Sequence, residues 1–122
     1  MKILHSDKAP KALGLYSQGY ESNGLLFLSG QGGINPETGI LAEGVQAQTV
    51  QAIQNLQAVL QSAGSDLSRV IKTTCFLTDM NDFKAFNEVY AQYFTSNPSR
   101  SCVAVKELPA NFLVEIEVIA EK

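Results

Sequence analysis

The chain has no tryptophan, one histidine, two cysteines and four prolines among 122 residues, and each shortage removes a class of chemistry. His5 lies in the leading segment, so neither a histidine-bearing zinc site nor a Ser-His-Asp triad can be assembled from the expected core. Cys75 and Cys102 sit in strand-like patterns at a spacing unlike any metal or redox motif, and are expected to be reduced thiols. No run of Lys or Arg occurs and the formal net charge is −3, which argues against a nucleic-acid groove or an anionic membrane as partner. No apolar stretch approaches a membrane span, and Met1 to Pro10 lacks the core of a signal peptide. A cytosolic location is therefore the expectation.

What is present describes one globular domain over residues 1–122, with 45% hydrophobic and 17% charged residues. Met1 to Gly14 reads as a lead-in with one short edge strand. Leu15 to Tyr20 and Leu25 to Ser29 read as antiparallel strands joined at Asn23-Gly24, a strong hairpin signal. Leu25 to Leu28 is apolar at every position, so both of its faces are expected to be buried. Gly30 to Gly39 is dense in turn residues but lacks the Lys-Ser/Thr of a phosphate loop. Its glycines admit either close approach of a ligand or plain turn geometry. Helical spacing of Val50, Ile53, Leu56, Leu60 and Ala63 predicts a helix over 43–63 stopped by Gly64. The glutamines between them, Gln48 included, are read as its solvated face. A strand over 70–78 and a helix over 82–94 follow, the latter capped by Asp79 or Asn81. Phe83, Phe86, Tyr90, Tyr93 and Phe94 form its aromatic stripe, for core packing or for stacking on a ligand.

The C-terminal stretch organises the rest. Arg100 to Val105 and Leu113 to Ala120 both alternate, the first carrying Arg100 and Cys102 on one parity, the second Glu115 and Glu117. A hairpin around Pro109 would set Arg100 opposite Glu117 and Cys102 opposite Glu115. An Arg fork grips a carboxylate through two parallel hydrogen bonds, and a nearby Glu can activate water. The cluster therefore reads as a site for a small organic acid attacked by water, or as a cross-strand ion pair on a solvated face. Two helices covering one face of a mixed sheet leave the other bare, which predicts a homo-oligomer formed through the bare face. Arg100 and Glu115 are assigned to that face, in a cleft between subunits.

The order Pro98-Ser99-Arg100-Ser101-Cys102-Val103, Leu108-Pro109 and Val114-Glu115-Ile116-Glu117 resembles the signature of the RidA/YjgF imine deaminase family. The likeness extends through Gly14 to Gly19, Ser29-Gly30-Gln31, Asn35 to Gly39, Val70 to Leu77 and Asn81-Asp82-Phe83. It implies a homotrimer of a chorismate-mutase-like α+β fold, with clefts between subunits. It implies hydrolysis of 2-imino acids or their enamine tautomers, such as 2-aminoacrylate and 2-iminobutanoate, to 2-keto acids and ammonia, without metal or other cofactor. The substrates would come from pyridoxal-phosphate dehydratases. By position, Arg100 would hold the carboxylate, Glu115 would orient or activate the water, and Cys102 would line the pocket. Tyr16, Ser29, Gly30 and Asn87 would border the same cleft. Two departures bear on substrate range: Leu15 replaces the usual Pro, and Gly32-Gly33-Ile34 stands where an Ile-Pro-aliphatic run is usual.

Other functions fit parts of the pattern. A non-catalytic module holding a keto acid or amino acid as a signal needs Arg100 but not Glu115. An RNA-cleaving translation inhibitor is disfavoured by an acidic chain without a basic, aromatic groove. A thiol-based chaperone or redox sensor would need reactive cysteines, and buried thiols are inert.

Overall fold

A computed structural model describes residues 1–122. Six strands, β1 (Lys2–Leu4), β2 (Gly19–Ser22), β3 (Leu25–Leu28), β4 (Val70–Leu77), β5 (Ser99–Ala104) and β6 (Val114–Glu121), form one mixed sheet. Two helices, α1 (Val45–Ser62) and α2 (Phe83–Tyr93), pack on it. The strand order is β1-β2-β3-β6-β4-β5, with β4 and β5 parallel and the other pairs antiparallel. This is the expected α+β architecture. No helix is long and apolar enough to cross a membrane.

Local sequence explains most boundaries. Asn23 and Gly24 both adopt positive φ (55° and 79°) and join Ser22 to Leu25 in a two-residue reversal whose twist suits antiparallel strands. Strand β2 begins at Gly19, later than expected from Leu15, because Gln18 is tied to the lead-in instead of a ladder. Its side chain accepts from the Ser6 amide at 2.7 Å and donates to the Pro10 carbonyl at 2.8 Å. Gly44, with φ 85°, cannot join the helix predicted from residue 43, so α1 starts at Val45. At the other end Gly64 takes a positive φ and donates to the Gln61 carbonyl, ending the helix as expected.

The two faces of the sheet differ. Leu26, Leu28, Cys75, Leu77, Val114, Ile116, Val118 and Ala120 join α1 and α2 in one core cluster. On the opposite face cross-strand partners line up Ile3, Tyr20, Phe27, Ile119 and Lys72, with no helix over them. Ile3, Tyr20 and Phe27 are 56%, 39% and 43% exposed. The apolar run of β3 is thus divided, Leu26 and Leu28 toward the helices and Phe27 toward the bare face.

The expected hairpin between the last two strands is not formed. Helix α2 returns the chain parallel to β4 on its outer side, and β6 lies on β4's inner side, between β4 and β3. Residues 105–113 cross the end of β4 instead: Val105 donates to the Leu77 carbonyl, and Thr78 to that of Leu113. Alternation tells which side chains share a face, but not which strand lies beside which.

Candidate functional site

Arg100 lies opposite Thr73 on β4, so it shares the helix-bearing face. Its guanidinium carbon stands 4.6 Å from the Tyr90 ring centre and 5.5 Å from that of Phe83, and Nη1 donates to Asn87 Oδ1 at 2.7 Å. The stripe of α2 therefore does two things: Phe86 and Phe94 fill the core, while Phe83 and Tyr90 form a platform for the cation. The Tyr90 hydroxyl is joined to Thr73 Oγ1 at 2.8 Å, which fixes the ring. Arg100 forms no ion pair within the chain, and its remaining donors face a groove of about 440 Å³ bordered by Asn87, Phe94 and Asn97. Cys102, on the same face, is half-buried beside it, and desolvation raises its thiol above the ordinary value despite the nearby Arg100 charge. Burial pushes Cys75 up to about 12. Both thiols are free and protonated at neutral pH.

Glu115 is on the other face. It pairs with Phe76, not with Cys102, and Glu117 pairs with Thr74, not with Arg100. The patch combining Arg100, thiol and both carboxylates is thus corrected: within one chain Arg100 and Cys102 occupy one side of the sheet, Glu115 and Glu117 the reverse. The assignment of Arg100 to the bare face is corrected with it.

Glu115 has its own surroundings. Gln31 exchanges two backbone hydrogen bonds with Ile116, at 2.9 and 3.0 Å, which sets Gly30 against the Glu115 carboxylate so closely that a methyl built on Gly30 would strike it. Ser29 is held next to it by its hydroxyl, which donates to the Ser17 carbonyl at 2.6 Å. Tyr16, Gly30, Gly32, Ile34, Phe112 and Glu115 line a cleft of about 550 Å³. Glu115 makes no ion pair there, and desolvation, then the neighbouring Glu117 charge, raises its carboxyl above the ordinary 4.5. Of the expected site residues, Tyr16, Gly30 and Glu115 are brought together, with Ser29 alongside. Arg100, Asn87 and Cys102 gather elsewhere. Nowhere do three His, Cys, Asp or Glu side chains cluster as metal ligands.

The residues that shape the second cleft include two the sequence reading missed. Gln48, expected on a solvated face, is 3% exposed, and Asn55 is 1% exposed. Gln48 accepts from the Leu113 amide at 2.8 Å and donates to the Ala42 carbonyl at 3.0 Å, while Asn55 donates to the carbonyls of Gly32 and Ile34. They tie the glycine loop and the start of β6 to α1. The available signal was the helical phase, since Gln48 and Asn55 fall in line with Ala52 and Val59 on the buried side.

Residues 6–122 match the family described as Endoribonuclease L-PSP. The chain belongs to the RidA/YjgF family. A "RutC family protein" of Aquifex aeolicus is 47% identical, covering 100% of both chains. "Reactive Intermediate Deaminase A, chloroplastic" of Arabidopsis thaliana is also 47% identical, over 98% of this chain and 65% of its own length. Among solved structures, E. coli TdcF with bound serine superposes with a TM-score of 0.96 at 40% identity, over 100% of this chain and 99% of that one. These relatives extend the RidA/YjgF likeness across the whole domain.

Proposed function

We propose that this protein hydrolyses reactive 2-imino acids, and enamines such as 2-aminoacrylate after tautomerisation, to 2-keto acids and ammonia, at a site completed between copies of the chain in a homotrimer. The observation that carries the proposal is the separation of Arg100 from Glu115. Arg100 is oriented by Asn87 and an aromatic platform yet lacks an anion, whereas Glu115 is desolvated in a cleft yet lacks a cation. A neighbouring copy seated on the bare apolar face would let one chain's Arg100 meet the other's Glu115.

In this reading Arg100 holds the substrate carboxylate bidentately, which places the C2=N carbon near Glu115. Glu115 takes a proton from water as the oxygen attacks C2, and its raised basicity suits that task. Glu115 then passes that proton to the carbinolamine nitrogen, and the hydroxyl gives up its own proton to Glu115 as C2=O forms and C2–N breaks, releasing ammonia and the 2-keto acid. Tyr16, Ser29 and Gly30 border the reacting centre. Cys102, with its protonated thiol, contributes shape and backbone from the edge strand β5 rather than a nucleophile. Pyridoxal-phosphate dehydratases are the sources whose products fit.

The relative solved with bound serine also favours a second reading, in which the cleft holds a small amino or keto acid without turning it over. RNA cleavage has less support, given the net charge of −3. The deciding experiment mixes Arg100→Ala and Glu115→Gln chains, each inactive alone, and follows keto-acid formation from dehydratase-generated imine. Random assembly should restore about a quarter of the sites. No recovery in verified mixed oligomers would refute the shared site, and retained carboxylate binding without turnover in the parent protein would favour the binding module.

A further inference from the structure

The Gly32-Gly33 pair, one of the departures from the usual loop, has a steric reason. A methyl built on Gly32 would fall within the ring of Phe112, and one on Gly33 would press on the backbone of Gln48. Phe112 thus occupies the space that a side chain at position 32 would otherwise fill. Its seat is fixed from behind, since Asn55 holds the Gly32 carbonyl at 3.1 Å and Gln48 holds the Leu113 amide at 2.8 Å. Ring and glycine border the same cleft as Glu115 and Gly30.

We propose that Phe112, seated on Gly32, determines which side chains of a 2-imino acid the Glu115 cleft accepts. The inference rests on the deaminase reading of that cleft. With the carboxylate at an arginine and C2 at the carboxyl of Glu115, the third substituent of C2 must lie along the cleft wall. The apolar surfaces there include Leu13, Ile34, Pro109 and Phe112, of which Phe112 is the one seated against Gly32. A ring backed by anchored main chain cannot retreat, so its volume is subtracted from the room left for the substrate. One methylene more or less in such a pocket changes kcat/KM by about 10–200-fold.

The test uses imines generated from alanine, leucine and phenylalanine by an amino-acid oxidase, and the ratio of kcat/KM for the large ones to that for the small one. Phe112→Ala should raise this ratio by about tenfold or more. Gly32→Ala, whose methyl drives the ring into the cleft, should lower it. The double variant should return toward the parent, a non-additivity expected of two side chains competing for one space. A thermal-shift series with pyruvate, 4-methyl-2-oxopentanoate and phenylpyruvate reads the same selectivity without turnover. Turnover or keto-acid binding with an unchanged preference in Phe112→Ala would overturn the inference. Neither turnover nor keto-acid binding in the parent protein would instead overturn the reading beneath it, and the inference with it.

Discussion

The two faces of the sheet are built from the same strands but left at different stages of completion. On β6, Ile116 is fully buried beneath the helices, whereas Ile119 and Glu115 point away from them and are only half-covered. On β3, Leu26 is sealed while Phe27 is 43% exposed. The helix side satisfies itself within one chain, even providing Arg100 with an aromatic bed at its margin. The bare side offers an apolar field with a carboxyl already desolvated. A face of this kind gains free energy chiefly by meeting another molecule, and its charged groups gain strength when water is expelled.

Substitutions can break or sharpen this contrast. The largest effect should come from Ile116→Ala, which removes core volume and should lower the unfolding free energy by about 2–5 kcal/mol in urea titrations. Ile119→Ala should cost well under that when copies are separated by dilution, and equal losses would erase the distinction between faces. Next, Arg100→Ala should weaken binding of a small 2-keto acid by about 1.5–3 kcal/mol in calorimetry, with little change in folding stability. Smaller still, Tyr90→Phe deletes the hydroxyl joined to Thr73 but keeps the ring beneath the guanidinium. It should cost about 0.5–1.5 kcal/mol of stability while leaving carboxylate affinity near that of the parent.

The smallest effect concerns Glu115. Its folded-state carboxyl titrates above the ordinary value, so the native protein holds that proton more tightly than the unfolded chain. Stability from this source is present below the unfolded-chain value and is lost as pH rises through the folded-state value. Glu115→Gln should therefore melt higher than the parent near neutrality, with the gap closing in acid. The carboxyl is half-exposed, which keeps the difference small. A gap that widens in acid would contradict the assignment.

Periodicity made the faces legible. The alternation in β5 and β6 correctly separated Arg100 and Cys102 from Val103, and Glu115 and Glu117 from Ile116. It could not reveal that β4 lies between them, because the same alternation suits a hairpin and a crossover. Resemblance grouped Tyr16, Ser29, Gly30, Asn87, Arg100, Cys102 and Glu115 around one cleft; within one chain Tyr16, Gly30 and Glu115 line one cleft, while Asn87 and Arg100 line another. Gln48 and Asn55 stayed hidden because their amides look like solvent-facing polar groups. Only the tertiary neighbours show that each is used up by backbone groups of the glycine loop and β6. Phe112, just ahead of β6, shows its place only through its tertiary fit over Gly32.

The central position of β6 has a dynamic consequence. With a strand on either side and helices across its back, its amides should exchange with deuterium among the slowest in the molecule. Tyr16, 57% exposed in the lead-in, should sit among the quicker regions. That pattern would put the acid on the stillest part of the molecule and the aromatic on a looser one. Such a pattern would let a small ligand enter past a yielding rim toward a fixed carboxylate.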